Sequence, residues 1–520
     1  MRRTIILGNH PLAGSLVRQY EVMGFVVEHR KEMTADGIDI NDYDEVCLLT
    51  GNDNLNDNLN RNQNDASVSS AIEADSRTLA VLNELAARYD AKQHGGKRLT
   101  CHLLLQKTET LQILQTCDLC ADVREKLDVY PFSLEEIWSR SIVLDYEPIT
   151  IHSDKHVHLV IFGMGEVAEM VAIQAAHAAH YPNYVRNHSF RTRITMISED
   201  AETLSEGFIK RYQHLFDNSF YRIVKPSEEK AVKVFHKPMY EGRREDFVDV
   251  EWEFVDAESW KPDVREKLKL WAQDDKQLLT VVMADRDENR NVAKSLILPD
   301  ELYQRSIPIY KYSPNAAEYD VTMPLVQMAK NVNYVYDSCY NDNIENWQGQ
   351  VLSSVEIDNK KRDESWAKRT IVKRLSSIYN AMTIPSKMRS IGLNEDDWNK
   401  FYDISQQDVE ILAQVEHNRW NVEELILGFR PCTDEEQEEI ARDIDDFIAV
   451  RSSEGDEAVK DRKPLKEKYK AGKKVHYDIR AYNDLRPDGT GKPVQVYDLC
   501  LSAALPLIAK TFVDEKGGGL

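Results

Sequence analysis

Gly163, Gly165 and Ala168 stand in GxGxxA spacing within HVHLVIFGMGEVAEMVA, the stretch of this chain with the clearest chemical meaning. Gly163 permits a tight turn out of a strand, Gly165 lets the backbone approach a pyrophosphate, and Ala168 lets helix and strand pack closely. The N-terminus of the following helix then faces the phosphates. The alternative is a tight strand-to-helix turn without a ligand. Acids that could meet a ribose hydroxyl, Glu199 and Asp200, follow the next apolar run, Ile194 to Ile197, and come late because HAAHYPNYVRNHSF intervenes. A second set, His417, Trp420, Asn421 and Glu424, is spaced i, i+3, i+4 and i+7 in EHNRWNVEELILGF and so shares one helix face. An indole beside an imidazole, an amide and a carboxylate suits a pocket for a flat polar ring, with Trp stacking and the others hydrogen-bonding. A buried Trp with satisfied polar neighbours is the alternative.

These residues need elements to hold them. Val157 to Phe162 reads as a buried strand and Val167 to Ala179 as an Ala-rich helix. Upstream the same alternation occurs, with Thr4 to Leu7 a strand, Gly8 a turn, Ala13 to Met23 helical, Phe25 to Glu28 a second strand and Val46 to Leu49 a further apolar run. Alternating strand and helix implies a parallel sheet. The upstream turn is degraded: His10 stands where a second glycine would, only Ala13 fits the third position, and Glu28 lies 20 positions after Gly8. The second unit, not the first, is therefore expected to hold any dinucleotide.

Val46 to Thr50 before GNDN and Leu278 to Ala284 before DRDENRNVAKSLI read as corresponding later strands of two equivalent units. The expected domains are 1–150 (a degenerate Rossmann-like unit), 151–335 (a Rossmann-like unit carrying GMGEVA), 336–404 (a helical connector) and 405–512 (mainly helical). The tandem units are expected to pack face to face as a pseudo-dimer, or else to use the same surfaces in a homodimer. Asparagine at every even position from Asn52 to Asn64 reads as a solvated loop or an unusual helix entry. Trp366 to Met382 and Asp408 to Leu427 read as helices, Asp434 to Asp446 as an acidic helix, and Lys460 to Lys474 as a solvated basic loop or a phosphate-attracting rim. Leu499 to Ile508, with Pro506, is too short to span a bilayer and is expected to pack in the core.

EHNRWNVEELILGFRP followed by HYDIRAYNDL and VYDL resembles the ryanodine receptor (RyR) domain. That resemblance places the family's helix His and Trp on His417 and Trp420, its glycine on Gly428, and its second segment on His476, Tyr482 and Leu485. Phe429 and Ala481 depart from the family's usual Trp and Pro. It implies a small helical module that acts as a scaffold or binds a purine nucleotide, with Trp stacking on the base. GMGEVA and DRDENRNVAKSL resemble the NAD-binding domains of Trk/RCK-type potassium-uptake regulators, with GNDNLNDN a loose match in the first unit. This implies a unit that binds NAD or a related dinucleotide and changes shape, and adds Asp287 to the cofactor-binding candidates.

Composition narrows the classes. A formal charge of −22 argues against general nucleic-acid or anionic-membrane affinity. No run of 18 apolar residues occurs, and the opening MRRTIILGNHPLAG has too short an apolar stretch for a signal peptide, so a cytoplasmic location is expected without membrane insertion. The seven cysteines are scattered without a frame, and Cys117 and Cys120 read as ordinary thiols. No Walker loop, GxSxG elbow or HExxH pair is present, and neither His177 with His180 nor His152, His156 and His158 has the further ligands a metal needs. The expectation is an α/β protein with two Rossmann-like doubly wound parallel-sheet domains and a C-terminal helical RyR-like domain, acting as a nucleotide-binding regulator or sensor. An NAD(P)-dependent or NAD-consuming enzyme and an interaction scaffold with vestigial nucleotide sites are the alternatives.

Overall fold

In the computed structural model the described residues are 1–51, 63–226, 233–236, 247–341, 357–394, 404–460, 462–487 and 493–509. Most of the asparagine-rich stretch and part of the expected connector lie outside them. The chain divides into two compact units, each assembled from separate segments. Unit 1 comprises 1–141, 313–324 and 363–375, and unit 2 comprises 142–312, 325–362 and 376–520.

Unit 1 holds a five-stranded sheet of β1 (Arg3–Leu7), β2 (Val26–Arg30), β3 (Glu45–Leu48), β4 (Leu99–Leu104) and β5 (Leu127–Phe132), in the order β2-β1-β3-β4-β5. Every pairing is parallel. Unit 2 holds β6 (His156–Phe162), β7 (Thr192–Ser198), β8 (Phe220–Val224), β9 (Lys233–His236), β10 (Val250–Asp256), β11 (Gln277–Met283) and β12 (Ile309–Lys311), ordered β12-β11-β6-β7-β10-β8-β9. Its strands are parallel except for the edge strand β9, which runs antiparallel to β8. The central strands are almost wholly buried, which is why IIL, VCLL, LVIF and LLTVVM read as continuous apolar runs rather than alternating ones. Two Rossmann-like α/β units accompanied by a helical C-terminal region are thus the architecture.

The two sheets share one feature and differ in another. In each, the first strand has the second on one flank and a later strand on the other: β3 beside β1, and β11 beside β6. Val46 and Leu278 therefore start strands in matching positions. The connectivity is not the same, because β3 directly follows β2 whereas β7, β8, β9 and β10 precede β11. The correspondence is confined to the strands around that switch in direction.

Helix boundaries moved where packing overrode local signals. Trp366 to Met382 is not one helix but two, Asn359–Ala367 and Ile371–Ser390, broken where the Thr370 side chain accepts the Lys373 N–H. The second continues through Pro385. The buried Ile384, Lys387 and Met388 on that last stretch fix it in the interior, which offsets the hydrogen bond that proline removes. The segment 460–474 contains a helix, Leu465–Lys473, rather than a loop throughout. Leu501, Ala504, Leu505 and Ile508 are buried, in and just after the helix Gln495–Ala503.

Candidate functional site

At the C-terminal end of β6, Phe162 is in register with Ile197 of β7 and Met283 of β11. The chain continues from β6 to β7 on one side and reaches β11 on the other, so the crevice beyond Phe162 is a topological switch point, where open α/β sheets take ligands. Gly163 turns there with φ of 129°, a conformation that favours glycine. A Cβ on it would lie 3.4 Å from the Ala284 carbonyl and 3.6 Å from the Ala168 Cβ. Ala168, fully buried, thus has the packing role its spacing indicated.

Gly165 immediately precedes the helix Glu166–Ala178 as its cap residue and, having no side chain, supplies no cap hydrogen bond of its own. A Cβ on Gly165 would meet nothing within 4 Å. Glu199 and Asp200 lie exposed just past the end of β7, one strand away from the glycine turn. Chain separation through the inserted segment has not displaced them from the end of the neighbouring strand. Asp287 is already used as a helix cap, its carboxylate accepting the Asn289 N–H at 2.9 Å at the start of the helix Glu288–Ser295. Arg286, beside it, reaches across the crevice to Glu166 at 2.7 Å. Neither partner of that bridge was singled out from sequence, because the two are 120 positions apart.

The corresponding turn in the first sheet is bonded differently. Gly8 has φ of 113°, and a Cβ there would lie 2.2 Å from the Leu49 carbonyl oxygen. The Asn9 side-chain oxygen accepts the Gly51 N–H at 3.1 Å. His10 Nδ1 accepts the Leu12 N–H at 3.2 Å, and burial pulls the imidazole down to about 4, so it is neutral and serves as an internal cap. Glu28 accepts from the Tyr43 hydroxyl and from Arg30.

The helix Gln406–Ile426 brings the second set together with the segment 476–485. His417 Nε2 donates to the Arg480 carbonyl at 3.0 Å, and Asn421 Nδ2 donates to the same oxygen at 2.8 Å. These two residues therefore tether the loop. His417 Nδ1 lies 3.2 Å from Asp498, whose pKa burial raises. The Trp420 ring is half-buried, stacked 5.5 Å from His417 and edge-on to His476 at 4.8 Å, and Tyr482 lies edge-on to His417 at 5.8 Å. His476 is held neutral by burial first and then by the neighbouring Lys470, whose ammonium donates to its Nε2 at 2.7 Å. Lys470 and Lys474 also lie over the Phe429 ring.

All six residues expected at this place are gathered there. Glu424 is only 8% exposed, and its Oε2 and the Asn421 Oδ1 are buried without a hydrogen-bond partner among the described residues. Burial raises the Glu424 carboxyl to about 7. Sequence reasoning did not assign roles to Lys470 or Asp498, although both lie in segments it had marked, the basic run and VYDL.

The other face of the same helix carries a buried ionic network absent from the sequence-based expectation. Glu416 accepts from Lys387 at 2.5 Å and from Arg419 at 2.8 Å, and Arg419 donates to Glu423 at 2.6 Å. Burial alone would raise Glu416, but Arg419 and Lys387 together hold it well below the usual carboxylate range.

Three of the histidines weighed as metal ligands have other partners. His158 bonds Gln277 and Thr195, His180 bonds Asp249, and His177 stacks on Tyr379 at 3.7 Å. Among the described residues no group of three or more His, Cys, Asp and Glu side chains gathers as metal ligands, and no helix is long and apolar enough to cross a membrane. The seven cysteines form no disulfides.

No protein-family model matches this chain. No curated protein matches it either. Among solved structures, NtrX from Brucella abortus aligns at 11% identity over 82% of this chain and 94% of that one, with a TM-score of 0.14, too low to support an argument about fold or function.

Proposed function

We propose that this protein is a nucleotide-binding regulator that takes a dinucleotide such as NAD at the switch point of its second sheet. The observation that carries this reading is the open space in front of Gly165, the side-chain-free cap residue of a helix, beside the acids just past β7. In the first sheet the position matching Gly165 is His10, whose ring accepts the Leu12 N–H, and this makes the contrast internal to the molecule. Gly163 and Ala168 shape the turn, Gly165 admits the pyrophosphate, and Glu199 or Asp200 meets the ribose. Arg286 sets the charge of the crevice, while Asp287 acts through the loop it caps.

Gly165→Val tests this directly. The free space accepts the side chain, so the fold should persist while NAD binding by calorimetry disappears. Equal affinity in wild type and variant would refute the site.

A second binding place rests on its own observation. The unpartnered buried oxygens of Glu424 and Asn421, beside Trp420, suit a purine whose amino or imino edge donates to them. Lys470 supplies a cation nearby for a phosphate. This is the reading the RyR resemblance favours, and the fate of purine binding in Trp420→Ala, argued below, decides it.

A further inference from the structure

Unit 1 has a cleft at the amino-terminal ends of β4 and β5, the opposite end of its sheet from the Gly8 turn. Its charged lining is four arginines, Arg98, Arg124, Arg369 and Arg374, against two aspartates, Asp118 and Asp128. In a chain with a formal charge of −22, that local surplus of cations is anomalous. The imbalance is sharpest inside. Arg98 and Arg374, with side chains 15% and 6% exposed, share the single carboxylate of Asp128 at 3.6 and 2.6 Å. The other Asp128 oxygen accepts the Tyr130 hydroxyl. Two guanidiniums taken out of water with one counter-charge are incompletely neutralised. Consistent with this, the Arg98 pKa is lowered, by burial first and with Arg374 among the opposing charges.

Part of the arrangement is structural. Arg98 donates to the carbonyls of Arg124 and Ala367, and Arg374 donates to that of Trp366, which clamps the segment 363–375 to the sheet. Carbonyl bonds satisfy donors but leave the net charge in place. A clamp of this kind also gives no reason for Arg124, exposed on the short helix Ala121–Lys126, to line the same cleft. Leu119, Leu127, Val129 and Ile371 supply apolar walls between them.

We propose that this cleft is an anion site for a phosphoryl-bearing small molecule, distinct from the dinucleotide crevice and independent of that assignment. Guanidiniums match phosphate oxygens in geometry and stay charged at any working pH. The buried pair sets a positive floor, and Arg124 and Arg369 close on the phosphate from the rim.

The test is calorimetric titration of the full chain with inorganic pyrophosphate at low salt, with ADP as a second probe. Pyrophosphate should bind, Arg124→Glu should weaken it by about tenfold or more, and Arg369→Ala should weaken it as well. Gly165→Val should leave this affinity unchanged, which separates failure here from failure of the dinucleotide site. Both rim substitutions leave the Asp128 clamp intact, and an unshifted melting temperature confirms the fold. Tighter binding of ADP than of pyrophosphate, lost in Arg124→Glu, would identify a nucleotide as the ligand; equal binding, lost likewise, would identify the diphosphate group alone. No binding at millimolar pyrophosphate, or binding that survives both rim substitutions, would overturn the proposal.

Discussion

Glu424 is a buried carboxyl whose protonation is set by its surroundings. An ordinary glutamate titrates near 4.5, and burial takes this one to about 7, so the folded protein holds a proton that the unfolded chain has released. Stability associated with the neutral form is therefore fully present below pH about 4.5 and is lost as pH rises through about 7. Comparing Glu424→Gln with wild type by urea denaturation at pH 5 and pH 8 should show the variant gaining on the order of 2–3 kcal/mol relative to wild type at the higher pH. A pH-independent difference would contradict it. Trp420 gives a second prediction. Being half-buried, it should cost less on truncation than the roughly 3–5 kcal/mol of a core Trp. If it stacks on a purine, Trp420→Ala should weaken purine binding by about tenfold or more in a titration. A strongly destabilised variant of a protein that binds no purine even as wild type would leave Trp420 with a structural role alone.

At the scale of elements, the helices Gln406–Ile426 and Ile371–Ser390 are joined by charge in the interior. Replacing Arg419 by Met would leave Glu416 with Lys387 alone and Glu423 with a hydrogen bond from Ser376 but no cation. Removing one partner from a buried network typically costs about 3–5 kcal/mol, so Arg419→Met should lose that much in chemical denaturation. Lys387→Met should cost less, because Glu416 keeps Arg419. Equal, small losses would show that the network is neutral to stability. The helix itself was legible from its heptad-like spacing, and so was the face carrying His417, Trp420, Asn421 and Glu424. The adjacent face was not: Glu416, Arg419 and Glu423 look like a solvated charged surface until another helix covers them.

At the scale of the whole molecule, the two sheets predict an asymmetric response. NAD should increase amide-exchange protection around Phe162–Ala168 and the end of β7 and leave the Gly8–Ala13 turn unchanged. Protection spreading equally to both turns would mean that the first sheet also takes the ligand, despite the Asn9 and His10 side chains that bond back to the chain there. The crevice should also respond to charge. Glu166→Gln removes a carboxylate from the helix N-terminus and should tighten dinucleotide binding several-fold at low salt, with the gain shrinking as salt is added. A loss of affinity would indicate instead that the bridge to Arg286 organises the site.

The sequence by itself determined the parallel α/β class, the glycine turn and the face of the Trp420 helix, because apolar run length, turn chemistry and helical period are local properties. It also marked the first turn as degraded, from His10 alone. Tertiary structure decided what depends on distant chain segments meeting. Tyr319 enters unit 1 to bond His102 at 2.7 Å and stack on Phe132 at 3.9 Å, far from either in sequence. Asp287 has the look of a ligand-binding acid until its cap is seen, and Glu199 and Asp200 seem misplaced until β7 lies beside β6. The strand order of the second sheet and the shared counter-charge of Arg98 and Arg374 belong to the same category. Pairing and burial are set by the free energy of the assembled chain, and no short window of residues contains the partners that fix them.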